Sequence, residues 1–168
     1  NSLSKDSNVE EITTKDDSIE YSWEEIAEIA KAISNETSIT DDTETATVTV
    51  NGVQKTLNVG DTATLEEKKV RILGFNHDEL ADSVKTTAYG SSTATGKAGI
   101  SFEYVDFLTT AQMNSSETNS GGWNASALRG TLNGTTYNSL SIKNSIKKVK
   151  KDYIPTYNVA TTQQANDY

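Results

Sequence analysis

Three stretches of this sequence hold side chains able to do chemistry. In the first, Gly121-Gly122 delivers Trp123, with Asn119 before it and Asn124 and Arg129 after it. An indole face stacks on a sugar ring or on a partner's aromatic ring, while amides and a guanidinium supply directional hydrogen bonds. Asn119, Trp123, Asn124 and Arg129 are therefore the candidate ligand-binding residues. The competing reading has Trp123 covering the core and Arg129 binding loop carbonyls. The second stretch is Gly74-Phe75-Asn76-His77-Asp78-Glu79-Leu80, where a His stands beside two carboxylates. These are metal-ligand types, but neighbouring positions rarely converge on one ion without further ligands. A turn His bonding local backbone is the reading adopted, and no metal site is assigned. In the third, Lys143, Lys147, Lys148, Lys150 and Lys151 place five of the 15 basic residues within nine positions. Such a face attracts a polyanion such as teichoic acid or anionic lipid heads; its plainer reading is a solvated helix face whose lysines complement the helix dipole.

Other chemistries are excluded by what is missing. With no Cys among 168 residues, disulfides, thiol nucleophiles and Cys-ligated metals are ruled out, and a single His rules out a His-rich metal site. No Gly-Lys-Ser/Thr phosphate loop, Gly-x-Ser-x-Gly elbow or His-Glu-x-x-His motif occurs. Paired carboxylates run glycoside hydrolysis, but no Asp/Glu pair is singled out. The chain reads as non-enzymatic, with no cofactor implied.

Thr, Ser and Asn supply 56 of the 168 residues, a composition that suits extracellular β-rich modules better than metabolic enzymes. The net charge of −9 is unevenly placed: residues 1–44 carry 13 acidic and 3 basic groups, and residues 45–168 carry 11 and 12. An acidic N-terminal segment repels phosphate backbones, so nucleic acid is not an expected partner. No stretch approaches the roughly 18 consecutive apolar residues of a membrane helix, so membrane insertion is not expected either.

The elements that must position these residues are partly legible. Residues 1–20 have the composition of an acidic leader or linker. Ser22-Trp23-Glu24-Glu25 fits a capping box, and Ile26, Ile29, Ala30 and Ile33 follow as one apolar stripe, which predicts a helix over 23–34. Alternating β-branched residues on either side of Asn51-Gly52 predict a hairpin over residues 45–57. A turn at Asn58-Val59-Gly60-Asp61 leads to two further strands over 62–65 and 70–75. Residues 99–107 alternate again and read as a central strand, with Ile100, Phe102, Tyr104 and Phe107 offered to a core. Between them, residues 88–97 read as a small-residue loop. Later helices are expected at about 125–133 and at 140–152, the latter turning Ile142, Ile146 and Val149 inward. The result is an α+β domain over 21–158, an antiparallel sheet with an N-terminal amphipathic helix and two later helices. An extended tail over 159–168 follows, with no stop signal, so the next element is expected to be missing.

Beyond these patterns, Val70-Arg71-Ile72-Leu73-Gly74-Phe75-Asn76-His77-Asp78, then Gly99-Ile100-Ser101-Phe102-Glu103, then Met113-Asn114 through Gly121-Gly122-Trp123 to Ser126, Leu128-Arg129 and Leu132-Asn133, resemble one bacterial domain-of-unknown-function module. That module belongs to secreted and surface proteins of Gram-positive gut bacteria and to phage tail proteins. Tyr21-Ser22-Trp23-Glu24-Glu25-Ile26 resembles a segment common upstream of it, so the resemblance spans about residues 21–158. It implies binding at a surface, no established catalysis, and a partial C-type-lectin-like fold whose C-terminal half lies beyond this chain. The first expectation is therefore an extracellular, cell-surface or virion-associated recognition and adhesion module, with a surface glycan or protein as partner. The alternative is a structural subunit of an extracellular fibre or surface assembly, completed by a neighbouring chain through residues 153–168 or the leader. A degraded enzyme-like fold rests on fold analogy alone, and an intramolecular Lys–Asn isopeptide bond would be compatible with the missing cysteines.

Overall fold

The computed structural model describes residues 17–153 and the short strand Gln163–Ala165. Helix α1 (Trp23–Ser34) begins as its sequence dictates. The Ser22 hydroxyl accepts from the Glu25 N–H at 3.2 Å, and the Glu25 carboxylate accepts from the Ser22 N–H at 3.0 Å, so both halves of the capping box are formed. Ile26, Ile29 and Ile33 are buried along one stripe. Strands β1 (Thr45–Val50) and β2 (Val53–Asn58) form an antiparallel hairpin around Asn51 and Gly52, whose φ angles of 51° and 77° suit a tight primed turn. Alternation along β1 turns Ala46 and Val48 into the core beneath α1.

Strands β3 (Thr62–Leu65), β4 (Lys68–Phe75) and β5 (Ile100–Tyr104) form a second antiparallel sheet in the order β3-β4-β5. The strands over residues 45–107 thus divide into two sheets, and the strand expected to be central, β5, lies at an edge. Burial explains the exchange of roles. β4 buries Val70, Ile72 and Phe75, whereas Ile100, Phe102 and Tyr104 of β5 stay half-buried. A bulge where the register shifts between Ile72 and Gly74 leaves Leu73 51% exposed. Phe107 lies past the end of β5 and is 90% exposed, so it contributes nothing to the core. Just before β5, a Cβ on Gly99 would fall 1.8 Å from the Ala30 carbonyl oxygen, so glycine alone lets β5 approach α1 this closely.

A smaller cluster of Leu80, Tyr89 and Ala98, with Val149 packed on it, adjoins the main core. It draws in the stretch 88–97 that was expected to be a free loop. Thr95 donates to the Ser34 carbonyl through both its N–H (3.1 Å) and its hydroxyl (2.8 Å), and the Ser34 hydroxyl donates to the Lys97 carbonyl at 2.6 Å. The end of α1 therefore fixes that stretch.

After β5, a 3₁₀ turn (Trp123–Ala125), helix α2 (Ala127–Thr131), a π-helical turn (Leu132–Thr136) and a last turn α3 (Tyr137–Ser139) replace the helix expected at 125–133 with a longer, broken one. The helix expected over 140–152 does not form. Residues 141–145 are turns, and the chain then runs extended beside residues 79–81: the Ala81 N–H donates to the Lys148 carbonyl at 3.0 Å and the Lys150 N–H to the Glu79 carbonyl at 2.8 Å. Val149 bridges Leu80, and β6 (Lys151–Tyr153) pairs antiparallel with β7 (Gln163–Ala165). The physical reason is that Ile142, Ile146 and Val149 are β-branched, equally suited to extended chain, and the ladder packs the half-buried Val149 against Leu80. The fold is α+β with minor later helices. Most of the acidic leader (1–16) and of the tail lies outside the described residues. Ser18 and Ile19, which composition assigns to the leader, dock on β3, with the Ile19 N–H donating to the Thr62 carbonyl at 3.0 Å and Ile19 buried. Among the described residues, no helix is long and apolar enough to cross a membrane.

Candidate functional site

The loop that carries the candidate ligand-binding residues is clasped at its base. The Leu128 N–H donates to the Met113 carbonyl at 3.0 Å; Asn114 accepts from the Ala127 N–H at 3.1 Å and donates to the Thr118 carbonyl at 2.7 Å. One amide thus bonds both the outgoing and the returning chain, the arrangement of an Ω-loop. Gly121 has a φ of 80°, and a Cβ there would lie 2.5 Å from the Ala125 Cβ, so both conformation and space require glycine. The chain then steps forward by short backbone bonds. The Asn119 carbonyl accepts from Gly122 at 2.9 Å, the Trp123 carbonyl accepts from Ser126 at 3.1 Å, and the Ser126 hydroxyl caps α2 by accepting from Arg129 at 3.1 Å. The backbone therefore links three of the four candidates, Asn119, Trp123 and Arg129, in series, with Asn124 inside the same 3₁₀ turn. Asn119 and Asn124 are exposed, Trp123 and Arg129 are half-buried, and Arg129 is already engaged by the protein. Trp123 belongs to neither core cluster among the described residues.

His77, Asp78 and Glu79 diverge to different partners. The His77 Nδ1 contacts the Asp41 carboxylate rather than local backbone, which corrects the turn-His reading, and its Nε2 lies 3.8 Å from Asp78. Asp78 accepts from the Ser101 hydroxyl at 2.6 Å and from the Lys151 ammonium, while Glu79 pairs with Lys85 at 3.1 Å. Burial pushes the Asp78 carboxyl up, but the hydrogen bonds from Lys151 and Ser101, aided by the charges of Lys151 and His77, outweigh it and hold the group below its ordinary value. No group of three potential metal ligands gathers among the described residues.

A feature that sequence reasoning missed is a cavity of about 300 Å³ between α1, β5 and the 140–149 segment. Its walls are Trp23, Ile26 and Ala30 from α1, Ile100, Phe102 and Tyr104 from β5, and Leu140, Ile142, Ile146 and Val149 opposite. The Trp23 ring meets Phe102 edge-on at 5.5 Å and donates to the Thr64 carbonyl at 3.0 Å, which fixes one wall. The Tyr104 hydroxyl is buried with no hydrogen-bond partner, and burial, with the Glu66 charge, pushes its pKa up. Lys147 lies over the Tyr89 ring at 5.1 Å, and burial pushes its ammonium pKa down. Lys147 and Lys151 thus turn toward the protein, so the lysine run is not one solvated helical face. The cavity is not legible in the sequence because its walls come from segments as far apart as Trp23 and Val149; the one local signal is an aromatic residue, Trp23, inside a capping box.

Compared with family models, with curated proteins and with solved structures, the chain finds no match.

Proposed function

We propose that this chain is a non-catalytic, extracellular recognition module whose clasped 113–128 loop binds a surface glycan by stacking it on Trp123. The observation that carries this reading is the position of Trp123, held by a built loop yet outside both core clusters. A large aromatic residue positioned this way offers contact area at little entropic cost, and the exposed amides of Asn119 and Asn124 supply orientation. The Ser/Thr/Asn-rich composition and the resemblance to bacterial surface modules support the same location and partner class. Glycan-array binding by the intact protein is expected, with Trp123→Ala weakening it at least about tenfold, roughly 1.4 kcal/mol, at an unchanged thermal midpoint. Absence of binding by the folded wild type overturns the reading. A fibre or surface-assembly subunit is the second reading, favoured by the edge position of β5; concentration-dependent polymers in sedimentation would support it, and a monodisperse monomer would count against it.

A further inference from the structure

We propose that the cavity between α1, β5 and the 140–149 segment binds a small amphipathic anion, an apolar ring or chain that ends in a carboxylate or sulfonate. The inference is independent of the glycan reading, because the 113–128 loop forms none of the cavity's lining. A space of about 300 Å³ is far larger than the roughly 10–15 Å³ a single water needs to be accommodated. That volume is at the lower end of small-ligand pockets, and the lining has their character, mostly aliphatic and aromatic with a few polar groups.

Charge selects the ligand's head group. The cavity's two carboxylates are already satisfied: Asp78 by Ser101 and Lys151, and Glu103 by Arg71 at 2.5 Å. A cationic ligand would therefore have to displace an existing partner. Lys147 is in the opposite position. Its ammonium lies against the Tyr89 ring, and no carboxylate pairs with it among the described residues. A partly desolvated ammonium without a counter-ion gains most from an incoming anion.

The test uses 1-anilinonaphthalene-8-sulfonate, which joins aromatic rings to a sulfonate, titrated into the folded full chain by fluorescence and calorimetry. One saturable site is expected. Lys147→Gln should weaken it at least tenfold, and Ile146→Trp, which fills the cavity, should abolish it, both with unchanged far-ultraviolet dichroism and a cooperative thermal transition. Trp123→Ala should leave it unchanged, which separates this site from the glycan surface. If Ile146→Trp fails to fold, Ala27→Leu fills the same space from α1. Absence of a saturable site in the folded wild type, full binding after the cavity is filled, or an affinity indifferent to Lys147→Gln each overturns the proposal.

Discussion

The side chain of Asn76 is 1% exposed, and its Nδ2 donates to the carbonyls of Ile33 at 2.9 Å and Ile39 at 2.8 Å. Its own N–H donates to the Gly99 carbonyl at 3.1 Å, so one residue joins the end of α1, the following turn and the start of β5. The φ of 44° is one that asparagine tolerates better than most residues. Removing the amide takes the donor from the Ile39 carbonyl, while the Ile33 carbonyl keeps the Glu36 N–H at 3.0 Å; a buried group left unpaired costs about 1–3 kcal/mol. Asn76→Ala should therefore lower stability by about 2 kcal/mol in urea titrations, and Asn76→Gly should lose slightly less because it relieves the left-handed backbone. A loss below about 0.5 kcal/mol in both variants would refute this account. Nothing in the sequence marks out Asn76 beside its neighbour His77, which draws notice by type and contacts the exposed Asp41 and, at 3.8 Å, Asp78. The partners of Asn76 lie 37 and 43 residues away, beyond the reach of local pattern.

At the level of elements, what was legible is what is specified locally. The α1 start is written within four residues and the β1–β2 turn within two, and both formed as read. Where the signal was ambiguous, distant partners decided: the spacing of Ile142, Ile146 and Val149 fits a helix, but backbone bonds to residues 79–81 hold 148–150 extended. The Trp123 loop falls between these cases, because its residue types were readable while the Asn114 clasp spans 13 positions. The capping box is the sharpest test at this level. Ser22→Ala removes the acceptor for the Glu25 N–H and should cost about 1 kcal/mol in urea titrations with an unchanged m-value. Because the two bonds are reciprocal, adding Glu25→Ala to that variant should cost less than the same change in the wild type; full additivity would show that the box does not act as a unit.

For the molecule as a whole, the acid side of the stability curve follows from how its carboxylates are held. Glu25 is lowered first by the Ser22 backbone bond, then by Lys55; Glu36 by Ser38, Glu66 by Ser141, and Glu79 by Lys85. These four are exposed, and solvent screens what they contribute. Asp78 differs, because it is partly buried and ties β5 to the 148–153 segment through Ser101 and Lys151. The net excess of acid was visible in the sequence, but not which carboxylate would be held in this way, since its partners lie 23 and 73 positions away. A carboxyl whose folded pKa is depressed binds fewer protons in the native state than in the unfolded chain. Its stabilisation is complete above the ordinary carboxylate range near pH 4 and is lost as pH falls toward and through the lowered folded value. The urea midpoint should therefore be higher at pH 7 than at pH 3. Asp78→Asn should lower the pH 7 midpoint and narrow the difference between the two pH values, because the neutral amide cannot gain what the carboxylate gains from Lys151. An Asp78→Asn protein that kept the full wild-type difference would assign the acid sensitivity to the exposed glutamates and remove Asp78 as the link between the sheet and the 148–153 segment.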